Sequence, residues 1–313
     1  MPRLYPAGQA ANAEFAFHSW LMLYNQAFNS VSPVLMGSGL MEQASTPGKN
    51  YPVPIPPLAL GDTVTEIDGN EWPASFIQSA EVTGTTLKRG PKGLQMTEDD
   101  LLEDRIGMVN ANVEAMGRAK RLFSDKLGAA ALEAGLTATG HDNQVIFSQT
   151  HSRDPIAGAS TQSNSHSLAL TPDNLLTVLQ GFQQLVAENG DPIFAGGQKP
   201  EFTLIHPVAL STDAEKVVDR MMITDAVGSV TNITYKRVKT VCLPQLTDAS
   251  RWYVAVNNLA RKPILRVVFK DMTDVKLGPE SDLWKSKQLM KLYSYEKTHY
   301  RLVDWRLIAT SKP

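Results

Sequence analysis

Residues 97–135 read TEDDLLEDRIGMVNANVEAMGRAKRLFSDKLGAAALEAG, and this stretch decides the architecture. Leu102, Ile106, Val109, Val113, Met116, Phe123, Leu127, Ala130 and Ala134 follow a 4,3 spacing, interrupted only by Lys120. Positions three and four apart share one face of a helix, so the spacing predicts an amphipathic helix with a narrow apolar stripe. Thr97 with Asp100 resembles a capping box in which Asp replaces Glu. Glu98, Asp99 and Asp100 place negative charge where the helix dipole favours it. Gly135 is a natural C-terminal stop. At 1.5 Å per residue the helix would be about 57 Å long, against the usual three or four turns. Gly107, Gly117 and Gly128 are expected to soften it. A coiled coil is the alternative, disfavoured by those interior glycines and by the lack of a second matching helix.

Working back from this helix, residues 11–31, ANAEFAFHSWLMLYNQAFNSV, read as a second one. Phe15, Phe17, Trp20, Leu21, Leu23, Tyr24 and Phe28 surround most of its circumference, so it needs partners on several sides, and other subunits are expected to supply them. Residues 46–58 hold Pro47, Pro52, Pro54, Pro56 and Pro57, which makes the segment extended and unfit for a central strand. Short β-type runs in 74–96 are broken at Thr83-Gly84 and Gly90-Pro91. Together these segments predict a long hairpin projecting from the body, with Asp68-Gly69-Asn70 as a turn near its tip. So long an irregular arm suits a chain that lies on a neighbour rather than a compact monomer.

Beyond the long helix, residues 141–152 (HDNQVIFSQTHS) read as a strand, followed by a loose loop over 155–167. Thr171-Pro172-Asp173 opens a helix running to about Glu188, with Pro at its first position. EFTLIHP is a buried-type strand, VALSTDAEKVVDRMM a helix, and YKRVKTVCLPQL and RWYVAVNN strands, which makes the middle an alternation of helices and strands around a mixed sheet. From Lys262 onward, ILRVVFKDMTDVKLG, KQLMKLYSYEKTHYRL and VDWRLIATS read as long antiparallel strands.

Composition narrows the function. The 313 residues are 42% hydrophobic and 20% charged, enough for a real core. No apolar run reaches membrane-spanning length, and the N-terminus lacks the pattern of a secretory signal. A single cysteine, Cys242, excludes internal disulfides and thiolate zinc clusters. The net charge of −2 gives no general electrostatic grip on nucleic acid. Charge is nevertheless uneven: residues 257–313 hold 12 Lys or Arg against 6 Asp or Glu. This basic strand region facing the acidic helix start is either an intersubunit contact or a solvated face.

No enzyme constellation stands out. Phosphate loops, dinucleotide fingerprints and nucleophile elbows are missing. Cys242, within TVCLPQL, reads as a buried structural thiol. His18 and His206 sit in ordinary structural settings. His141, His151 and His166 flank one strand and loop and are the only histidines with a case for converging on a metal, but no carboxylates accompany them at ligand spacing. Asp99, Asp100, Glu103 and Asp104 serve helix dipole and solvation rather than acid/base chemistry. LKRGPKG (87–93) is a short basic turn without a stacking aromatic. The expectation is a chain that is not an enzyme, with no catalytic, cofactor-binding or metal residues and no cofactor.

The order of elements is informative in itself: an aromatic N-terminal helix, a proline-bearing arm, a very long helix and a closing long-strand region. That order resembles the major capsid proteins of tailed phages of the Hong Kong 97 type, and more closely the Mu-like prophage major head subunit family. The matching stretches are EDDLLEDRIG, VIFSQTH, LTPDNLLTVLQ, KPEFTLIHPVALSTDAEKVV, VCLPQL, RWYVAV, RKPILRVVF and YSYEKTHYRLVDWRLIA, colinear over roughly residues 12–310.

The resemblance implies an α+β Hong Kong 97-type fold with a spine helix, an extended loop, and peripheral and axial domains. It divides the chain into an N-terminal arm (1–45), an extended loop (46–96), a peripheral domain (97–171 and 263–313) and an axial domain (172–262). It implies a major capsid protein that self-assembles through pentamers and hexamers into an icosahedral shell around phage double-stranded DNA, held non-specifically. Assembly would take place in the host bacterial cytoplasm, with a portal, a separate scaffolding protein, and a decoration protein as a further candidate partner; no membrane is involved. The scaffold is expected because no long prosegment precedes the arm; a processed chain is the alternative. Some such shells crosslink a lysine of the extended loop to an asparagine; Lys49, Lys88 and Lys92 on one side and Asn257 and Asn258 on the other are the candidates here, without a motif match. Three rival readings stand beside it: an encapsulin-like nanocompartment shell of the same fold, an oligomeric α/β hydrolase, and a tail or baseplate component, which the single continuous spine helix disfavours.

Overall fold

The computed structural model describes residues 7–45, 54–55, 80–81, 94–97, 108–140, 142–152, 161–186, 192–194, 200–225, 228–232, 234–259, 261–287 and 289–313. Its helices are α1 (Ala7–Asn29), α2 (Val34–Gly37), α3 (Met108–Ala134), α4 (Pro172–Gln183), α5 (Ser211–Val218) and α6 (Asp282–Lys287). Its strands open with β1 (Met41–Ser45), β2 (Pro54–Ile55), β3 (Ala80–Glu81), β4 (Leu94–Thr97), β5 (His151–Ser152), β6 (Thr161–Gln162) and β7 (Ser165–His166). They continue with β8 (Phe202–His206), β9 (Met222–Asp225), β10 (Gly228–Thr231), β11 (Val238–Cys242), β12 (Trp252–Val256), β13 (Ile264–Leu277), β14 (Leu289–Leu302) and β15 (Ile308–Ser311).

The spine is α3, 27 residues long and so about 40 Å by helical rise. The helix is described from Met108, and Thr97, which the spacing puts at its start, instead closes β4 and pairs with Leu289 of β14. The acidic residues 98–104, with Leu102 and Ile106, lie outside the described residues. Within α3 the stripe holds at Val113 and Leu127, both buried. Ala130 and Ala134 are exposed instead, and Ala129, Ala131 and Leu132 are buried. Lys120, the apparent interruption, lies inside: its Nζ donates to Asp274 Oδ1 of β13 at 2.6 Å, with only 2% of its side chain exposed. Gly117 and Gly128 are contact points rather than soft spots. A Cβ on Gly117 would stand 2.7 Å from the carbonyl oxygen of Tyr24, and one on Gly128 would stand 2.4 Å from Leu35 Cδ1. Glycine lets α1 and α2 lie directly on the spine.

Beneath α3 runs a four-stranded sheet in the order β1-β13-β14-β4, with β1 parallel to β13 and the rest antiparallel. The 14-residue strands β13 and β14 keep one register from Ile264↔Leu302 to Val268↔Thr298 and shift it between Val268 and Thr273. At the far end of this ribbon, Phe17, Trp20 and Tyr24 of α1 form a distinct apolar cluster with Val113, Trp284, Met290 and Leu292. This corrects the expectation that α1 finds its partners in other subunits: its inward face is covered by its own chain. Burial of aromatics and aliphatics of this size is worth about 1.5–3 kcal/mol each, which fixes α1 to the spine.

The second sheet is five-stranded, in the order β11-β8-β12-β15-β7. Every residue of β8 and of β12 is buried, as their unbroken apolar runs require for central strands. α4 and α5 are the helices predicted here. Thr171 Oγ1 accepts from Asn174 N at 3.3 Å as the N-cap, and Pro172 takes the first turn. α4 ends at Gln183, short of Glu188. β15 enters this sheet between β12 and β7, so residues 308–311 and 165–166 ladder with the middle region rather than with the spine's sheet. Of the run HDNQVIFSQTHS only the last two residues form a strand, β5. Residues 142–150 turn and bend, with only the Thr139↔Val145 bridge, and Ile146 and Phe147 are buried as anchors of the turn.

The hairpin reading finds support at its base, where Pro54–Ile55 pair antiparallel with Ala80–Glu81. Its Asp68-Gly69-Asn70 turn lies outside the described residues.

Candidate assembly surfaces

Among the described residues, two sheets and the spine bury most of the apolar side chains, so those left outside are informative. On α1, Phe15 (76% exposed) and Met22 (72%) stand seven residues apart, hence on one face, opposite the inward Phe17, Trp20 and Tyr24. Val208, before α5, and Met221 and Met222, after it, are exposed as well. Tyr293 projects from β14 on the face away from Met290 and Leu292. These side chains are exposed within this chain.

Charge follows a similar division. In the basic C-terminal region, Arg266 pairs with Glu296 (3.2 Å) and Arg306 with Asp304 (2.7 Å), both inside. The excess is carried outside by Lys270, Lys276, Lys285 and Lys287, all exposed. Their expected counterpart, the acidic stretch 98–104, lies outside the described residues, as do the basic turn 87–93 and the arm lysines Lys49, Lys88 and Lys92. Asn257 Nδ2 donates to Thr203 Oγ1 at 2.5 Å, and Asn258 Oδ1 accepts from Glu201 N at 3.1 Å, so both asparagines hold the β8–β12 corner together.

The groups with chemical potential are structural in their surroundings. His151 is fully buried: Nδ1 lies 2.5 Å from Asp142 Oδ2, Nε2 lies 3.1 Å from Asn164 Oδ1, and the ring stacks on Trp305 at 4.1 Å. Asn164 Nδ2 in turn donates to the carbonyls of Ile146, Trp305 and Ile308. This knot ties the turn after α3 to the C-terminus, and sequence reading missed it because its hydrogen-bonded partners are up to 144 residues apart. His166 pairs through β7 with Ser311, and burial holds its imidazole below the ordinary value. His141 lies outside the described residues, among which no three His, Cys, Asp or Glu side chains converge as metal ligands. His18 lies 3.9 Å from Glu14 on the exposed face of α1, and His206 Nδ1 lies 3.0 Å from the Pro207 carbonyl. Cys242 is half-buried rather than buried, with Ser211 Oγ 3.6 Å from its Sγ. A cleft of about 400 Å³ separates the end of α3 from β14; His299 lines it, and burial beside Arg301 holds that imidazole low as well. None of these places a nucleophile, base and acceptor together on an open surface. What the chain presents is apolar and charged contact area.

The phage capsid protein family model matches residues 80–304, well over half the chain. The chain belongs to the phage capsid protein family. It is a shell-forming structural subunit of the virion capsid, and its fold is that of Hong Kong 97-type capsids. The virus-like particle of Pyrococcus furiosus is similar at a TM-score of 0.51 and 13% identity, covering 95% of this chain and 99% of that one. The procapsid of bacteriophage JBD30 gives 0.52 and 13%, covering 99% and 76%. The capsid of cyanophage P-SCSP1u gives 0.52 and 10%, covering 90% and 89%. No curated protein matches the sequence significantly.

Proposed function

We propose that this subunit is the major head protein of a Mu-like tailed phage, built from an N-terminal arm (1–45), an extended loop (46–96), a peripheral domain (97–171 and 263–313) and an axial domain (172–262). The extended loop reaches over the neighbouring subunit, and the axial domains meet at the centres of pentamers and hexamers. Repeated heterologous contacts of this kind close into a shell when their rotations match an icosahedron. The observation that carries the loop assignment is the ladder of β2 with β3, which closes a stem below residues 56–79. The two sheets support the division into peripheral and axial units, with β7 and β15 crossing from the first into the second.

The shell encloses double-stranded DNA without sequence preference, consistent with a net charge of −2. It assembles in the host bacterial cytoplasm on a separate scaffolding protein and around a portal, and a decoration protein is a further partner. The family match favours a phage head over a nanocompartment. Deleting residues 61–75 tests the loop: the variant is expected to remain folded, with an unchanged melt, and to form no particles. Intact particles from the deleted chain would reject the assignment.

A further inference from the structure

The sheet order gives β14 a neighbour on each side, but β4 pairs only with residues 289–292. Over residues 293–302 the side of β14 away from β13 has no strand partner among the described residues. An uncovered edge presents backbone N–H and C=O groups with which another chain can pair. The cleft of about 400 Å³ lies here, and His299, Tyr300, Arg301 and Leu302 all line it. Successive side chains of a strand point to opposite faces, so a cleft lined by four residues in a row runs along the strand's edge rather than over one face. Its other wall is the end of α3 and the turn beyond, with small or apolar side chains at Ala131, Ala134 and Ile146. The volume is that of an ordinary ligand pocket. A groove between a helix and a free strand edge is the shape that takes an extended peptide by strand addition.

Charge selects among peptides. Arg301 and His299 line the cleft, and among the described residues no Asp or Glu lines it. Arg301 Nη2 donates to the Thr139 carbonyl at 2.8 Å, which holds the guanidinium between the strand and the turn. The half-buried ring of His299 makes no hydrogen bond or ion pair with a described residue, so its nitrogens are left for a guest. An acidic side chain is attracted to this lining and a basic one is repelled. We propose that the cleft seats an extended acidic peptide of a partner protein, which adds a strand to the edge of β14 and sets a carboxylate against Arg301 and His299.

The test is an array of terminally blocked heptapeptides built from Val, Thr, Ser and Ala, with Glu, Gln or Lys at the centre. It is probed with the labelled full chain, and the peptides that bind are then titrated. Glu-centred peptides are expected to bind, and their Gln- and Lys-centred counterparts about tenfold more weakly or worse. Methylating alternate backbone amides of a binding peptide should abolish binding, since strand addition uses them. Arg301→Gln should weaken the Glu-centred peptides about tenfold, and Arg301→Lys less. Should Arg301→Gln fail to fold, Ala134→Phe fills the cleft from the exposed side of α3 and should abolish binding while keeping the parent's melt. No Glu-centred binder, equal binding by Gln-centred peptides, or binding indifferent to Arg301→Gln and Ala134→Phe would overturn the proposal. Binding that ignores amide methylation and is displaced by acetate would mean a carboxylate site only. Binding lost in step with self-association as the protein is concentrated would mean that a second copy fills the cleft. Either result overturns the peptide assignment.

Discussion

Replacing Asp274 by Asn should destabilise this subunit far more than its partly exposed position suggests. Asp274 is 25% exposed in its side chain, but Lys120, which donates to it at 2.6 Å, is only 2% exposed. Tyr24 of α1 also donates to the same oxygen at 3.4 Å, so one carboxylate holds α1, α3 and β13 together. Asp274→Asn leaves a buried ammonium without its counter-charge, which costs about 3–5 kcal/mol. Lys120→Met fills the space with an apolar chain and leaves the carboxylate some water and Tyr24, for about 1–2 kcal/mol. The double variant replaces the pair altogether and should sit within about 1 kcal/mol of the parent. Against a total stability of about 5–15 kcal/mol, the asymmetry is easily measured. Urea unfolding followed by tryptophan fluorescence suits it, because Trp20 and Trp284 lie in the same apolar cluster. If Asp274→Asn costs under about 1 kcal/mol, or the two single effects add, the reasoning about a buried pair is refuted.

Three further outcomes follow from the packing. Gly117→Val places a side chain against the Tyr24 carbonyl, and overpacking should outweigh the gain in helix propensity, for a loss of about 1–3 kcal/mol by the same unfolding assay. Thr171→Ala removes the α4 N-cap and should lower stability by about 1 kcal/mol, with Thr171→Ser recovering most of it. The imidazoles of His166 and His299 are held below their ordinary value of 6.5, so the unfolded chain binds protons first on acidification. Their contribution is complete above about pH 6.5 and is lost as pH falls through the folded values, by at most about 1.4 kcal/mol per pH unit each. Asp125 works the other way, since burial raises it above 3.8: its contribution is greatest below that value and declines as pH rises past it. A melt series from pH 7.5 to 5 should show declining stability that flattens when both histidines are replaced by Gln.

Local rules read well where a local cause sets the structure. Thr171-Pro172 opens α4 because cap and proline act within one turn, and β8 and β12 announce themselves because a strand covered on both faces must be apolar throughout. The spine's stripe was legible at Val113 and Leu127 but not further on, where α2 and the sheet cover a second side and bury Ala129, Ala131 and Leu132. Lys120 looked like a fault in the pattern because its partner lies 154 residues away. The same holds for α1, whose all-round apolar surface cannot say which chain covers it. Ile146 and Phe147 imitate a strand because an apolar anchor in a turn and an apolar strand residue differ only in backbone. As for function, no side-chain constellation among the described residues carries it. It was readable from the order of the elements, and a contact surface leaves no compact motif.

The most direct test of a capsid subunit is whether it builds a shell. The protein, expressed alone and with a candidate scaffolding protein, should be sedimented through a density gradient and imaged by negative-stain electron microscopy. Closed shells or tubes with hexameric and pentameric clusters are the expected result in at least one of the two preparations. A homogeneous small oligomer in both, unchanged by the scaffold, would contradict the account.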